Sequence, residues 1–103
     1  MEIFDKAQWH IDAGMDSKKV VEKLNNVFSF LNENDMLSEE GIELFKDEID
    51  SSISLNEKIV NEKGRLFLRI CYDAVIDEDA NNIKKALNEK LSDIKKIVKL
   101  IDK

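Results

Sequence analysis

An apolar stripe with a period of 3.6 residues runs through SKKVVEKLNNVFSFLNEN and predicts a long amphipathic helix over residues 17–34. Asp16 or Ser17 stands just before the stripe and is suited to cap the helix. Phe30 lies off the stripe, so we expect this helix to contact a second neighbour and to be central in the fold. The stripe consists of Val20, Val21, Leu24, Val27, Phe28 and Leu31.

A pattern typical of a helix start occurs twice, 23 residues apart. SEEG at residues 38–41 aligns with NEKG at residues 61–64, and each offers a capping side chain, an acidic first turn and a small residue. We therefore predict one helix after Ser38 and another after Asn61, although a hairpin turning at Gly64 is an alternative for the second. Their expected buried sides are Ile42, Phe45 and Ile49 in the first, and Phe67, Ile70, Cys71, Ala74 and Val75 in the second.

Two shorter segments are also expected to be helical. Ser54 and Glu57 have capping-box spacing, which favours a short helix at residues 55–60. Near the N-terminus, Gly14 is placed to end a helix as its C′ residue. The residues that would share one face of that helix are Ile3, Phe4, Ala7 and Ile11.

A long amphipathic helix is predicted over residues 80–102. Its apolar residues repeat at intervals of four and three, a heptad-like seam formed by Leu87, Leu91, Ile94, Val98 and Ile101. This seam could pack on its own domain or on a second copy of the chain. Glycine is scarce and proline is absent, which disfavours an all-β fold. The prediction is an all-α fold, a compact bundle of four to five helices in a single domain over residues 1–103.

The charge of the chain is unevenly distributed, and this bears on its partners. Residues 1–79 carry 19 acidic and 9 basic residues, a net charge of −10, whereas residues 80–103 carry 3 acidic and 7 basic residues, a net charge of +4. An acidic body repels nucleic acid and attracts basic proteins. Four carboxylates at intervals of 3, 4 and 3 are predicted to line one exposed helical stripe as a partner-binding site: Glu40, Glu43, Asp47 and Asp50.

The only tryptophan and the only histidine are adjacent, at Trp9 and His10, and together with Asp12 they could line a pocket. Catalysis by His10 would need a nucleophile, but Cys71 lies on a predicted core-facing helix, where a thiol is inert. We therefore expect a packing role, with Trp9 covering the end of the bundle and His10 held through Asp12 or a backbone carbonyl. The carboxylates close enough in sequence to orient the imidazole are Asp5, Asp12 and Asp16.

The sequence carries no recognisable cofactor or metal motif. DEDANNIKKALN at residues 77–88 starts like a calcium-binding loop, but Asn82 replaces its glycine and Asn88 its bidentate glutamate. A phosphate-binding glycine loop is also missing, and the apolar runs are too short to cross a membrane. The sequence thus predicts a cytoplasmic protein without enzymatic activity, cofactor or membrane association.

The chain also carries the stretches FDKAQWHIDAG, VFSFLNENDMLSEE and NEKGRLFLRICYDAV, which together span roughly residues 4–76. They resemble a family of small bacterial proteins of uncharacterised function with an N-terminal Trp-His…Gly motif. The resemblance implies a relationship to bacterial toxin-immunity proteins, but no established activity or site. The segment between His10 and the first long helix is short for that family, and the lysine-rich helix at 80–103 falls outside the resemblance.

Two functions of different classes are therefore expected. The first is a non-enzymatic binding protein, most concretely an immunity protein or antitoxin that uses the acidic stripe against a basic toxin. The second is a structural or regulatory homo-oligomer, a homodimer in the simplest case, assembled through helix 80–102.

Overall fold

The computed structural model describes residues 1–101, with side chains described for residues 1–95. These residues form five helices and a two-stranded antiparallel sheet, so the predicted all-α fold is wrong and the fold is mixed. In chain order the elements are β1 (Ile3–Lys6), α1 (Ala7–Asp12), α2 (Ser17–Glu33), α3 (Glu39–Lys46), β2 (Ser54–Asn56), α4 (Glu62–Val75) and α5 (Ala80–Ile101).

The sheet replaces the first part of the predicted N-terminal helix and the predicted helix at residues 55–60, whereas residues 7–12 are helical as α1 and Gly14 follows its C-cap as predicted. β1 contains Ile3 and Phe4, which therefore do not share a helical face with the residues of α1, and β2 begins at Ser54, where the spacing to Glu57 favours a helix start. Each segment is too short for a stable helix on its own, so pairing across the sheet satisfies its backbone groups better. The paired positions are Ile3 with Asn56, Asp5 with Leu55, and Lys6 with Ser54.

The helix α2 lies at the centre of the fold, as predicted. The Asp16 side chain caps it by accepting a hydrogen bond from Lys19 N–H at 3.2 Å. Phe30 packs against Phe67 of α4 with the ring centroids 5.4 Å apart, which is the second contact expected from its position off the stripe. Helices α1, α3 and α5 also pack against α2. The buried side chains of α2 are Val20, Lys23, Leu24, Val27, Phe28, Phe30 and Leu31.

The two helix starts that share a sequence pattern also share a geometry. The segments that precede them cross as an antiparallel pair: Ser38 N–H donates to the Ile59 carbonyl, and Asn61 N–H donates to the Met36 carbonyl, both at 3.0 Å. Each segment then enters a helix whose third residue is glycine, and each capping side chain accepts from that glycine's N–H. The repeat in the sequence is therefore an approximate two-fold arrangement in the fold.

The helix α3 ends at Lys46, four residues before Asp50. The helix predicted after Ser38 therefore forms, but it does not extend to Ile49 and Asp50. Gly41 occupies the most buried position of α3, and Ile42 is exposed, contrary to the prediction. Phe45 stacks on Phe28 with the ring centroids 6.4 Å apart. Ile49 is buried, but from the loop after the helix.

The predicted helix after Asn61 is confirmed as α4, and the hairpin alternative is wrong. Its core face is rotated from the expected one. Phe67, Cys71 and Val75 are buried as predicted, but Ile70 and Ala74 are exposed, and Leu68 and Tyr72 take core positions in their place.

The predicted long C-terminal helix is confirmed as α5, which packs against α2 and α4. Leu87 and Leu91 of its seam are buried in the chain's own core, and Ile94 is partly buried beside them. Val98 and Ile101 lie outside the residues whose side chains are described. In the described part of the chain, no helix is both long and apolar enough to cross a membrane.

Candidate functional site

The four carboxylates of the predicted partner-binding site line one open groove of about 440 Å³, bounded by α3, the loop after it and β2. Glu40 and Glu43 lie on α3, whereas Asp47 and Asp50 belong to the loop, because the helix ends at Lys46. The predicted continuous helical stripe is therefore wrong beyond this point. The loop nevertheless brings both of its carboxylates to the same groove. We refer to it as the acidic groove.

The acidic groove combines a negative rim with an apolar floor. Of the described residues that line it, five are acidic and one, Lys58, is basic. The fifth acid is Glu48. It was not among the predicted binding residues, because its position in a continuous helix would lie off the predicted stripe. The floor residues are Leu44, Ile49, Ile53 and Ile59. A carboxylate rim above an apolar floor suits the aliphatic stem and charged head of a lysine or arginine.

Hydrogen bonds hold the loop that carries Asp50. Its carboxylate accepts from the Ser52 hydroxyl and from Ser52 N–H, the latter at 2.8 Å. These two hydrogen bonds lower the pKa of Asp50 below its ordinary value, and the bond from the hydroxyl has the larger effect. The Asp50 carboxylate at the rim is therefore negatively charged. Among the described residues, no group of three or more His, Cys, Asp or Glu side chains is arranged to hold a metal ion.

A second cluster of polar side chains is buried around Asp5. The Asp5 carboxylate is fully buried and accepts from His10 Nε2–H at 2.8 Å and from the Tyr72 hydroxyl at 2.7 Å. Asp5 lies on β1, His10 on α1 and Tyr72 on α4, so this network joins three elements. Asp5 is one of the carboxylates predicted to orient His10. Tyr72 carries no local signal for this contact, because it lies 67 residues further along the chain.

The residues of the predicted N-terminal pocket point in different directions. His10 turns inward to Asp5, Trp9 is 49% exposed, and Asp12 is exposed and accepts from a neighbouring glutamine side chain. The expectation that Trp9 covers the end of the bundle is therefore wrong, and so is the expectation that Asp12 or a backbone carbonyl holds His10, because Asp5 does so. The helix α1 has only six residues, and Ala7 fills its inner side, which leaves the indole on the outer side.

Burial shifts the pKa values of three side chains in the core, Tyr72, Lys23 and Cys71. It raises the pKa of Tyr72 well above the ordinary value, and the neighbouring Asp5 charge adds to the effect. Lys23 is only 2% exposed and donates to the Ile76 carbonyl. Burial lowers the pKa of Lys23, while the Asp5 charge acts in the opposite direction. Burial also raises the pKa of Cys71, which makes this free thiol a poor nucleophile, as expected.

We expect the stabilising contribution of the Tyr72 hydroxyl to be lost at high pH. The pKa of tyrosine in an unfolded chain is about 10, and its folded-state pKa is higher, so the contribution is complete below pH ~10 and declines above it. Tyr72→Phe should lower the free energy of unfolding by about 1–2 kcal/mol at neutral pH, and the difference from wild type should shrink at alkaline pH. Urea unfolding of both proteins across the pH range measures this difference, and a constant difference would contradict the assignment.

No family model matches the chain, and neither a curated protein nor a solved structure matches it.

Proposed function

We propose that the protein is a non-enzymatic binding protein whose acidic groove docks a basic protein, in the manner of an immunity protein or antitoxin that occludes a toxin. The proposal rests on the convergence of five carboxylates on one groove with an apolar floor. A docked arginine or lysine would lay its stem on Ile49 and Ile53 and place its charge at the rim. Opposite potentials would speed the encounter and set the orientation of the partner.

Other features of the chain support the same proposal. The −10 charge of residues 1–79 opposes nucleic-acid binding, which requires neutralising phosphates. The buried free thiol of Cys71 suits a reducing environment such as the cytoplasm. The alternative, an oligomer through helix 80–102, has less support because Leu87 and Leu91 are occupied within their own core.

The test compares two variants of equal charge for binding of a labelled hexa-arginine peptide by fluorescence anisotropy. In the groove variant Glu40, Glu43, Asp47 and Asp50 are all replaced by lysine. In the control variant, lysine replaces four exposed acids away from the groove: Asp12, Glu78, Glu89 and Asp93. We expect the groove variant to bind roughly 100-fold more weakly than wild type at low salt, and the control variant to lose far less.

The comparison separates groove recognition from net charge, because both variants carry the same number of reversals. Wild-type binding should also weaken as salt is raised. Equal losses in the two variants would mean that the peptide responds only to net charge. In that case the acidic groove is a solvated surface and the proposed function is wrong.

A further inference from the structure

An apolar patch is exposed on the outer face of α4. Ile70 is 69% exposed and Leu66 is 49% exposed. Both border an apolar groove of about 490 Å³ between α4 and α5, whose floor includes Phe67 and Leu91. Large apolar side chains that are exposed together mark interaction surfaces more often than isolated ones do. This patch shares no lining residue with the acidic groove.

Two opposite charges flank the apolar patch along the same helix. Lys63 precedes Leu66 by one turn, Asp73 follows Ile70 by one turn, and all four side chains are exposed. One hydrogen of the Lys63 ammonium is donated to the Asn34 carbonyl at 2.9 Å, which leaves two for a partner. Their spacing of 3, 4 and 3 places them on one face of α4. Leu66 and Ile70 lie about 6 Å apart along the helix axis, and Lys63 and Asp73 about 15 Å apart. Residue 68 is the midpoint of both pairs.

We propose that this face of α4 binds a second copy of the chain, with the two α4 helices antiparallel across a two-fold axis at residue 68. The shared midpoint sets Leu66 against the partner's Ile70 and Lys63 against the partner's Asp73. The two-fold axis repeats each of these contacts. The result is an apolar centre closed at both ends by pairs of opposite charge, the usual composition of a specific interface.

Charge complementarity selects a second copy in this orientation. If the two α4 helices were parallel, Lys63 would face the partner's Lys63 and Asp73 would face the partner's Asp73. Like charges in contact oppose association. The antiparallel arrangement pairs every charge of the stripe with its opposite. This interface uses α4, and is therefore distinct from an assembly through the seam of helix 80–102. It also stands independently of the proposed function, since the acidic groove takes no part in it.

Sedimentation equilibrium of the full chain, from micromolar to millimolar concentration, tests the proposal. The wild-type mass should rise with concentration from 11.9 kDa towards twice that value. Leu66→Asp should remain monomeric. Lys63→Asp or Asp73→Lys alone should weaken dimerisation roughly 100-fold, because each creates two like-charge contacts per dimer. The control Lys85→Asp changes an exposed charge on α5 and should dimerise like wild type.

The decisive experiment uses the two charge variants together. The double variant Lys63→Asp/Asp73→Lys restores opposite pairs and should dimerise again. An equimolar mixture of the two single variants should form a heterodimer at concentrations where each variant alone is largely monomeric, because every contact in the mixed dimer is then attractive. A wild-type chain that stays monomeric throughout, a Leu66→Asp protein that dimerises, or a mixture that fails to associate would each overturn the proposal. Circular dichroism melts of the variants verify that each remains folded.

Discussion

Replacing Asp5 with alanine is expected to lower the free energy of unfolding by about 3–5 kcal/mol, a large part of the stability of a small domain. The substitution removes the acceptor of three donors: the buried Tyr72 hydroxyl, the part-buried His10 Nε2–H and the Lys6 N–H. Buried donors left without partners cost far more than the net value of the hydrogen bonds that they formed. Because the network joins β1, α1 and α4, its loss also loosens the attachment of the N-terminal segment to the body of the fold.

Chemical denaturation of wild type, Asp5→Ala and Asp12→Ala measures this effect. Asp12 lies in the same N-terminal segment, but it is exposed and accepts only from a neighbouring glutamine. Its replacement should therefore change stability by less than about 0.5 kcal/mol. If Asp5→Ala cost no more than Asp12→Ala, the buried network would not contribute to the stability of the fold.

The Asp5 substitution should also reach the acidic groove. The strand β2 forms part of the groove wall and is held in place by pairing with β1, which carries Asp5. A loosened β1 would shift β2 and the residues beside it. The Asp5 network therefore stabilises the position of β1, and the pairing of β1 with β2 stabilises one wall of the acidic groove. The role that we assign to His10 in this arrangement is structural.

Local patterns were sufficient to predict much of the helical structure. The stripe through α2, the caps at Ser38 and Asn61 and the long helix α5 depend on residues within one or two turns of each other, and propensity and capping act over that distance. The four carboxylates of the acidic groove were identified for the same reason, as a run of like charges within a short stretch. Their grouping survives although α3 ends early, because the loop folds back on the same side.

Contacts between distant segments could not be predicted in this way. The pairing of β1 with β2 joins residues about 50 positions apart, and the hydrogen bond of Asp5 to Tyr72 spans 67 positions. In such short segments helical and strand spacing are hard to distinguish, so the tertiary partner decides. The exposure of Ile70 was missed for a related reason. Helical spacing gives the period of the core face but fixes its rotation only to within one residue.

Alanine is expected to destabilise the fold at either glycine that lies three residues after a repeated cap, Gly41 after Ser38 and Gly64 after Asn61. A Cβ atom built at Gly64 would lie 2.4 Å from the Met36 carbonyl oxygen, and one at Gly41 would lie 2.0 Å from the Ile59 carbonyl oxygen. Both obstacles are backbone atoms of the opposite crossing segment, so neither can rotate away. Gly64→Ala should therefore lower the free energy of unfolding by about 2–4 kcal/mol, despite the gain of up to ~1 kcal/mol that alanine brings to an open helix position.

Comparison with Gly41→Ala and Gly14→Ala by urea unfolding distinguishes steric crowding from backbone strain. Gly14 has a φ of +97° but no atom within 4 Å of an added Cβ, so its replacement reports the cost of the left-handed backbone alone, about 1–2 kcal/mol. Gly41→Ala should cost about as much as Gly64→Ala, since the two sites are related by the approximate two-fold arrangement. The double variant should cost less than the sum, because either alanine already forces apart the hydrogen bonds between the same two segments. If Gly64→Ala instead raised the free energy of unfolding, the two crossing segments would have to lie further apart than described. The close approach of the two segments at each glycine would then be contradicted.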